Sequence, residues 1–281
     1  MNRVFVTSSQ FAKESGSVCY IGKPRMAMDF THGAVSFGAG LIAGAMNSVA
    51  GGGTLLTFPT LIWLGLNSVT ANATSTVAVW PGQVGGMLGY RRELSTLERR
   101  FLYLAIPSLI GGLFGAILLR LTPSRIFDHL VPYLILFATV LFMVQEPIQR
   151  RIKSSHPDAH KSAAWFVGAV VFQFMVGVYG GYFGAGIGIM MLAAFSILGM
   201  TDIHQMNGFK NLLGGAVNAL AAIYFISQKM VYWPDVGVMA LGAIAGGYAG
   251  AGTARKIGRT AVRRIAILIG LGMAVSLFIK H

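Results

Sequence analysis

Residues 33–63 read GAVSFGAGLIAGAMNSVAGGGTLLTFPTLIW, an apolar run interrupted once, at Ala50-Gly51-Gly52-Gly53. Glycine is a poor helix former, so three in a row most simply mark a break in the helix. The break leaves one arm over 33–49, a shorter one over 54–66, and a helix over 70–90. No Asp, Glu, Lys or Arg occurs from Gly33 to Tyr90. As continuous helix this stretch would measure about 87 Å, nearly three times the hydrocarbon core of a bilayer. Broken backbone is not tolerated against lipid and survives only when buried in protein or lining a watery cavity. The glycine break is thus the first pointer to a functional site.

Outward from this stretch, further apolar segments run over 101–121, 127–145, 162–183, 187–199, 206–228, 236–254 and 262–279, with Lys210 the main charge among them. Of the 281 residues, 54% are hydrophobic and only 11% charged, against roughly 25% charged in a soluble domain. With a mean hydropathy of +0.65, the expected class is an all-α polytopic membrane protein, and a soluble enzyme is disfavoured. The net charge of +13 sits in short loops between apolar runs and accompanies no nucleic-acid motif, so the bilayer, not nucleic acid, is its partner. Cys19 is the single cysteine, which rules out an internal disulfide and a cysteine metal site.

Residues 1–29 lack a central apolar run and do not read as a signal peptide. A disordered tail is expected there, or a stretch ahead of a true start at Met26 or Met28. The organisation expected beyond it is a first transmembrane repeat over 30–145, a basic connecting loop over 146–161 and a second repeat over 162–281. A displacement of 135 residues places Ala50-Gly51 and Gly53 on Ala185-Gly186 and Gly188, Asn72 on Asn207, Gly111-Gly112 on Gly246-Gly247 and Arg120 on Arg255. That common register over more than a hundred residues points to duplication. If each half crosses an odd number of times, Arg91, Arg92, Arg99 and Arg100, the Arg150 to Lys161 group and the Arg255 to Arg264 group share one face. The positive-inside rule then favours inverted halves with both termini outside. Each half would hold a re-entrant, glycine-broken segment plus three spanning helices. The alternative keeps one broken helix that crosses, giving four spans per half and parallel halves.

The segment Asn47-Ser48-Val49-Ala50-Gly51-Gly52-Gly53-Thr54, followed by Ala71-Asn72-Ala73-Thr74-Ser75, resembles the sulfite exporter TauE/SafE family, also called the TSUP permeases. Residues 177–215, GVYGGYFGAGIGIMMLAAFSILGMTDIHQMNGFKNLLGG, look like that family's second repeat. The resemblance covers residues 33–279 and implies a multi-pass permease of the bacterial inner membrane that moves small anions. Sulfur oxyanions such as sulfite, or organosulfonates, are the implied cargo.

A helix restarting after a break offers backbone N–H groups and the positive end of its dipole, which attract an anion. Gly51, Gly52 and Gly53 in the first half and Gly186 and Gly188 in the second are the candidates, with Thr54 a cap for the first restart. Close helix packing is the blander use of such glycines. Asn72, Thr74 and Ser75 align with Asn207 and Lys210, and can hydrogen-bond an oxyanion. Lys210 either meets the anion or snorkels towards the interface beside Asp202. Asn47 and Gln83 flank the break, and Asn211 completes the candidate set. Gln173 and Asn218 read better as bridges between helices. Trp63, Trp80, Trp165 and Trp233 read as packing or interfacial anchors.

No Ser-His-Asp set, paired carboxylates or phosphate loop is present, so an intramembrane enzyme and an ATP-driven pump are disfavoured. No cofactor or metal is called for. His156 and His160 are separated by Pro157 and read as a solvated loop. A passive anion channel is the competing reading. A homo-oligomer is compatible with the sequence.

Overall fold

In a computed structural model, the described residues are 29–49, 52–89, 102–154, 163–197, 200, 202–257 and 259–280. They are helical with no strand. The helices are α1 (Phe30–Val49), α2 (Thr54–Trp63), α3 (Ser68–Gly89), α4 (Ala105–Leu121) and α5 (Ser124–Ser154). After the connector come α6 (Ala163–Tyr182), α7 (Ile187–Ile197), α8 (Ile203–Ser227), α9 (Trp233–Ile257) and α10 (Arg259–Lys280). The expected tail lies outside the described residues except for Asp29, whose carboxylate caps α1 by accepting the His32 amide at 2.7 Å.

The connector expected as a loop over 146–161 is corrected in its first part. Helix α5 runs on to Ser154, and residues 155–162 lie outside the described set. The helix continues through Pro147, which removes one backbone donor, because the Gln, Arg, Ile and Lys beyond it are adequate helix formers. Its 31 residues reach about 46 Å, well beyond a bilayer core. Two described segments, Ser124–Val144 and Gln205–Ser227, are long and apolar enough to cross a membrane by length and composition, and shorter apolar helices accompany them.

Glycine rows set the tightest packing. A Cβ at Gly40 or Gly44 would overlap the carbonyl oxygens of Met239 and Ala243, and one at Gly242 or Gly246 those of Phe37 and Leu41. Residue numbers rise together in these contacts, so α1 and α9 run parallel with their backbones touching. The same geometry joins α4 to α6, where Gly111 and Gly115 meet Phe174 and Val178 while Gly177 and Gly181 meet Ser108 and Gly112. Helices α5 and α10 are antiparallel: Tyr133 and Phe278 stack edge-on at 5.3 Å, and Gly270 meets Thr139.

The core is aromatic where α2, α5 and the end of α6 converge. Phe58 packs edge-on against Phe183 at 5.3 Å and Phe127 at 6.4 Å. Outside, large apolar side chains stand exposed along α4 (Ile106, Ile110, Phe114, Leu121), α6 (Val167, Val171, Met175) and α9 (Leu241, Ile244). Apolar faces on this scale suit a hydrocarbon solvent. Trp63 and Trp233 are exposed as interfacial anchors would be, whereas Trp80 points inward.

Candidate functional site

Both expected breaks are present. Gly52 has φ +89°, and Gly184 and Gly186 have φ +79° and +80°, conformations that glycine adopts without the Cβ penalty. After the first break the chain folds back on itself: a Cβ at Gly53 would come within 2.7 Å of the Ala43 carbonyl oxygen. After the second, the Ile187 side chain returns against Gly180. Residues this far apart along one continuous helix would not touch.

The two breaks meet at a cavity of about 70 Å³. The first contributes Asn47, Gly52 and Thr54, and α3 adds Gly82 and Gln83. Opposite stand Gly184, Gly186, Ile187 and Gly188, with Lys210, Asn211, Gly214, Gly215 and Asn218 from α8. Thr54 opens α2 and Ile187 opens α7, so two helix N-termini, each carrying partial positive charge, end at the cavity. Lys210 is the one charged side chain in this lining, and none of the described lining residues is acidic. The stem of Lys210 crosses the start of α7, its Cδ 3.0 Å from where a Cβ on Gly188 would sit, and its ammonium donates to Asn207 Oδ1 at 3.2 Å.

Of the residues singled out from sequence, Asn47, Gly52, Thr54, Gln83, Gly186, Gly188, Lys210 and Asn211 are brought together here. Gly51 lies outside the described residues. The others are placed elsewhere, for identifiable reasons. Gly53 donates its amide to Asn47 Oδ1 at 2.8 Å, so Asn47, not Thr54, closes the first restart. Thr54 is the first helical residue after the cap position Gly53, and no side-chain cap bond forms there. Asn72 is buried and donates to the Tyr182 carbonyl at 2.8 Å, tying α3 to the end of α6. Thr74 accepts the Tyr232 amide at 3.0 Å, and Ser75 pairs with Thr57 at 2.6 Å. Asn207 stands behind the cavity as the acceptor for Lys210.

The restart amides are also less available than the sequence suggests. Those of Leu55, Leu56 and Thr57 bond back to Gly52 and Gly53, and that of Ile189 to Gly186. The dipole ends and the lysine, more than a ring of open N–H groups, therefore give the cavity its polarity.

Two lining features escaped the sequence. Asn218, read as a bridge, donates to Gln83 Oε1 at 3.0 Å inside the lining, and Trp80 donates to the Gly215 carbonyl at 3.1 Å. The signal was available: both pairs are separated by 135 residues, the displacement of the proposed duplication. Among the described residues no three His, Cys, Asp or Glu side chains are placed to hold a metal.

Sequence comparison adds an independent line. The family described as sulfite exporter TauE/SafE matches residues 36–277. A "Probable membrane transporter protein" of Haemophilus influenzae is 25% identical over 245 residues, spanning 87% of this chain and 93% of the relative. "Probable membrane transporter protein ORF9" of a Sinorhizobium species is 25% identical over 86% of this chain and 90% of its own length. "Probable membrane transporter protein YfcA" of Escherichia coli K12 is 25% identical over 86% and 88%. No solved structure matches the chain.

Proposed function

The chain belongs to the sulfite exporter TauE/SafE family and is a membrane transporter, and from that premise we propose that it is a multi-pass permease of the bacterial inner membrane for small anions. Sulfur oxyanions such as sulfite are the best fit. The observation that carries this reading is the cavity between the two chain breaks, whose lining holds Lys210, two helix N-termini and no acidic side chain. A site of that polarity repels cations and draws an anion out of water. Asn47, Gln83, Asn211 and Asn218 supply neutral amides that orient oxygen atoms by direction.

Inverted halves fit the packing. If α1 to α5 correspond to α6 to α10, then α5 and α10 are equivalents in direct contact. A two-fold axis along the membrane normal would make such mates parallel, and an axis in the membrane plane makes them antiparallel. The contacts Tyr133–Phe278 and Thr139–Gly270 are antiparallel, which supports the in-plane axis. The parallel pairs α1–α9 and α4–α6 correspond to each other under the duplication and fit either axis, so the α5–α10 contact alone carries the choice. Alternating exposure of a midplane site by rocking of such halves is the transport cycle this arrangement suits.

Counterflow in proteoliposomes tests the proposal. With sulfite, sulfate, thiosulfate, taurine, acetate and phosphate each trapped inside, labelled sulfite uptake is expected to be accelerated by sulfite and by the anions closest to it in size. Uptake without trans-stimulation would make the protein a channel, and no uptake of labelled sulfite with any of these anions inside would overturn the assignment to sulfite.

A further inference from the structure

Helices α1 and α9 enclose a second polar group that the cavity does not use. His32 Nε2 lies 2.8 Å from Asp235 Oδ1, and Ser36 donates to the same oxygen at 2.7 Å. Asp235 and Ser36 are fully buried and His32 is 6% exposed. His32 Nδ1 and Asp235 Oδ2 have no hydrogen-bond partner. A carboxylate sealed between apolar helices is costly unless a counter-charge or a proton neutralises it. Its position in the first turn of α9 relieves this only in part, because the helix dipole carries about half a charge.

The surroundings supply little else. Asp29, before α1, accepts the His32 amide, and that bond holds its carboxyl below the usual carboxylate range, so it adds negative potential. Helices α2 and α3, which also pack on α1, contain no titratable side chain. The segment leading into α9 brings exposed Lys229 and half-buried Tyr232. The basic residues of α10 stand at its ends, Arg259, Arg263 and Arg264 at one and Lys280 at the other.

We propose that His32, Ser36 and Asp235 form a proton-binding site. With Nε2–H donated to Asp235, a proton from water forms a new N–H bond at His32 Nδ1, and the imidazolium and carboxylate together are neutral. Release breaks that bond, returns the proton to water and leaves one unbalanced negative charge between α1 and α9. On the transporter reading above, this occupancy governs the cavity. Helix α1 carries His32 near its start and Asn47 near its end, about 22 Å away at 1.5 Å per residue. The protonated pair clasps α1 to α9, and the deprotonated pair favours a state in which water reaches it.

The test uses the full chain in lipid nanodiscs and infrared difference spectra recorded from about pH 5 to about pH 9, a window wider than histidine chemistry ordinarily needs. Imidazole and carboxylate bands that titrate together are expected in the wild type and are lost in both His32→Gln and Asp235→Asn. Ser36→Ala, which removes a hydroxyl alone, shifts the midpoint of the same bands. Bands unchanged in all three variants would overturn the site. A second arm uses thiosulfate, which stays fully ionised over this range, in proteoliposomes. The ratio of uptake driven by a pH gradient to uptake by counterflow falls in Asp235→Asn and His32→Gln to its value without a gradient. A ratio that stays at the wild-type value would overturn the coupling. Absence of thiosulfate counterflow in the wild type would count against the transport reading for that anion, and the infrared bands would still decide the proton site.

Discussion

A lysine costs roughly 2.5 to 3.5 kcal/mol at the centre of a membrane helix on insertion scales and less towards its ends; Lys210 stands in the first third of α8 and in the cavity wall. Asn207 Oδ1, 3.2 Å from Lys210 Nζ, is one partner of the ammonium, and an anion in the cavity would be a charged one. Lys210→Ala is therefore expected to raise the half-saturating sulfite concentration by about tenfold, the value of one charge-assisted hydrogen bond of about 1.4 kcal/mol or more, while thermal unfolding of the protein in detergent shows no loss of stability. Unchanged sulfite flux in vesicles would remove Lys210 from the site. Gly188→Ala should act in the same direction and more weakly, because the new methyl group meets the Lys210 stem at 3.0 Å and a flexible side chain can yield. At this scale the sequence was legible where a polar residue stood alone in an apolar run, as Asn47, Gln83 and Lys210 do. It was not legible for Thr74 and Ser75, which look equally exposed to a ligand in one dimension. Their hydroxyls are occupied by Tyr232 and Thr57, partners distant in sequence and supplied only by the fold.

Among the elements, the glycine rows and the glycine breaks use one residue type for two different physical ends. In α1, Gly40 and Gly44 are helical and bring the backbone of α9 into contact, whereas Gly52 holds a left-handed conformation at the chain reversal. Sequence separated these roles only where glycines were consecutive, since a spaced pair has no local mark of its partner. Gly44→Ala should lower stability by about 1 to 3 kcal/mol, the usual cost of overpacking, because its methyl group would strike the Ala243 carbonyl. Gly38→Ala is the control: nothing lies within 4 Å of the new atom, and its melting temperature should match or slightly exceed that of the wild type. A Gly44→Ala protein that melts with the wild type would mean that α1 and α9 are not packed backbone to backbone. Asn47→Ala removes the acceptor for the Gly53 amide and should cost about 1 kcal/mol, as loss of a cap does, together with reduced sulfite affinity. Helix ends were harder to read than helix existence. The continuation of α5 to Ser154 through a polar, basic sequence illustrates the reason: membrane helices are found by hydropathy, and hydropathy is silent once the helix leaves the bilayer.

For the whole molecule, the 135-residue displacement does more than suggest ancestry, because residues near an axis relating two halves must face their own equivalents. Trp80 with Gly215 and Gln83 with Asn218 touch in this way, so on the proposed duplication the axis lies beside the cavity and residues of both halves line it. The direction of that axis has a measurable consequence. In a Cys19→Ser background, cysteines replacing Tyr133 and Phe278 should form a disulfide rapidly in native membranes, since these side chains touch across α5 and α10. With the halves related by an axis along the membrane normal, Tyr133 would instead approach its equivalent, Leu268, so a 133–268 pair that cross-links as fast as 133–278 would favour parallel halves. Impermeant thiol reagents extend the argument to sidedness. Cysteines placed at Arg150 and at Arg264 should both react only from the cytoplasmic face, as the positive-inside rule requires of ends this rich in arginine, while one at Arg125 should react only from outside. Reaction of positions 125 and 150 from the same side would mean that α5 does not cross, and the in-plane axis would fall with it.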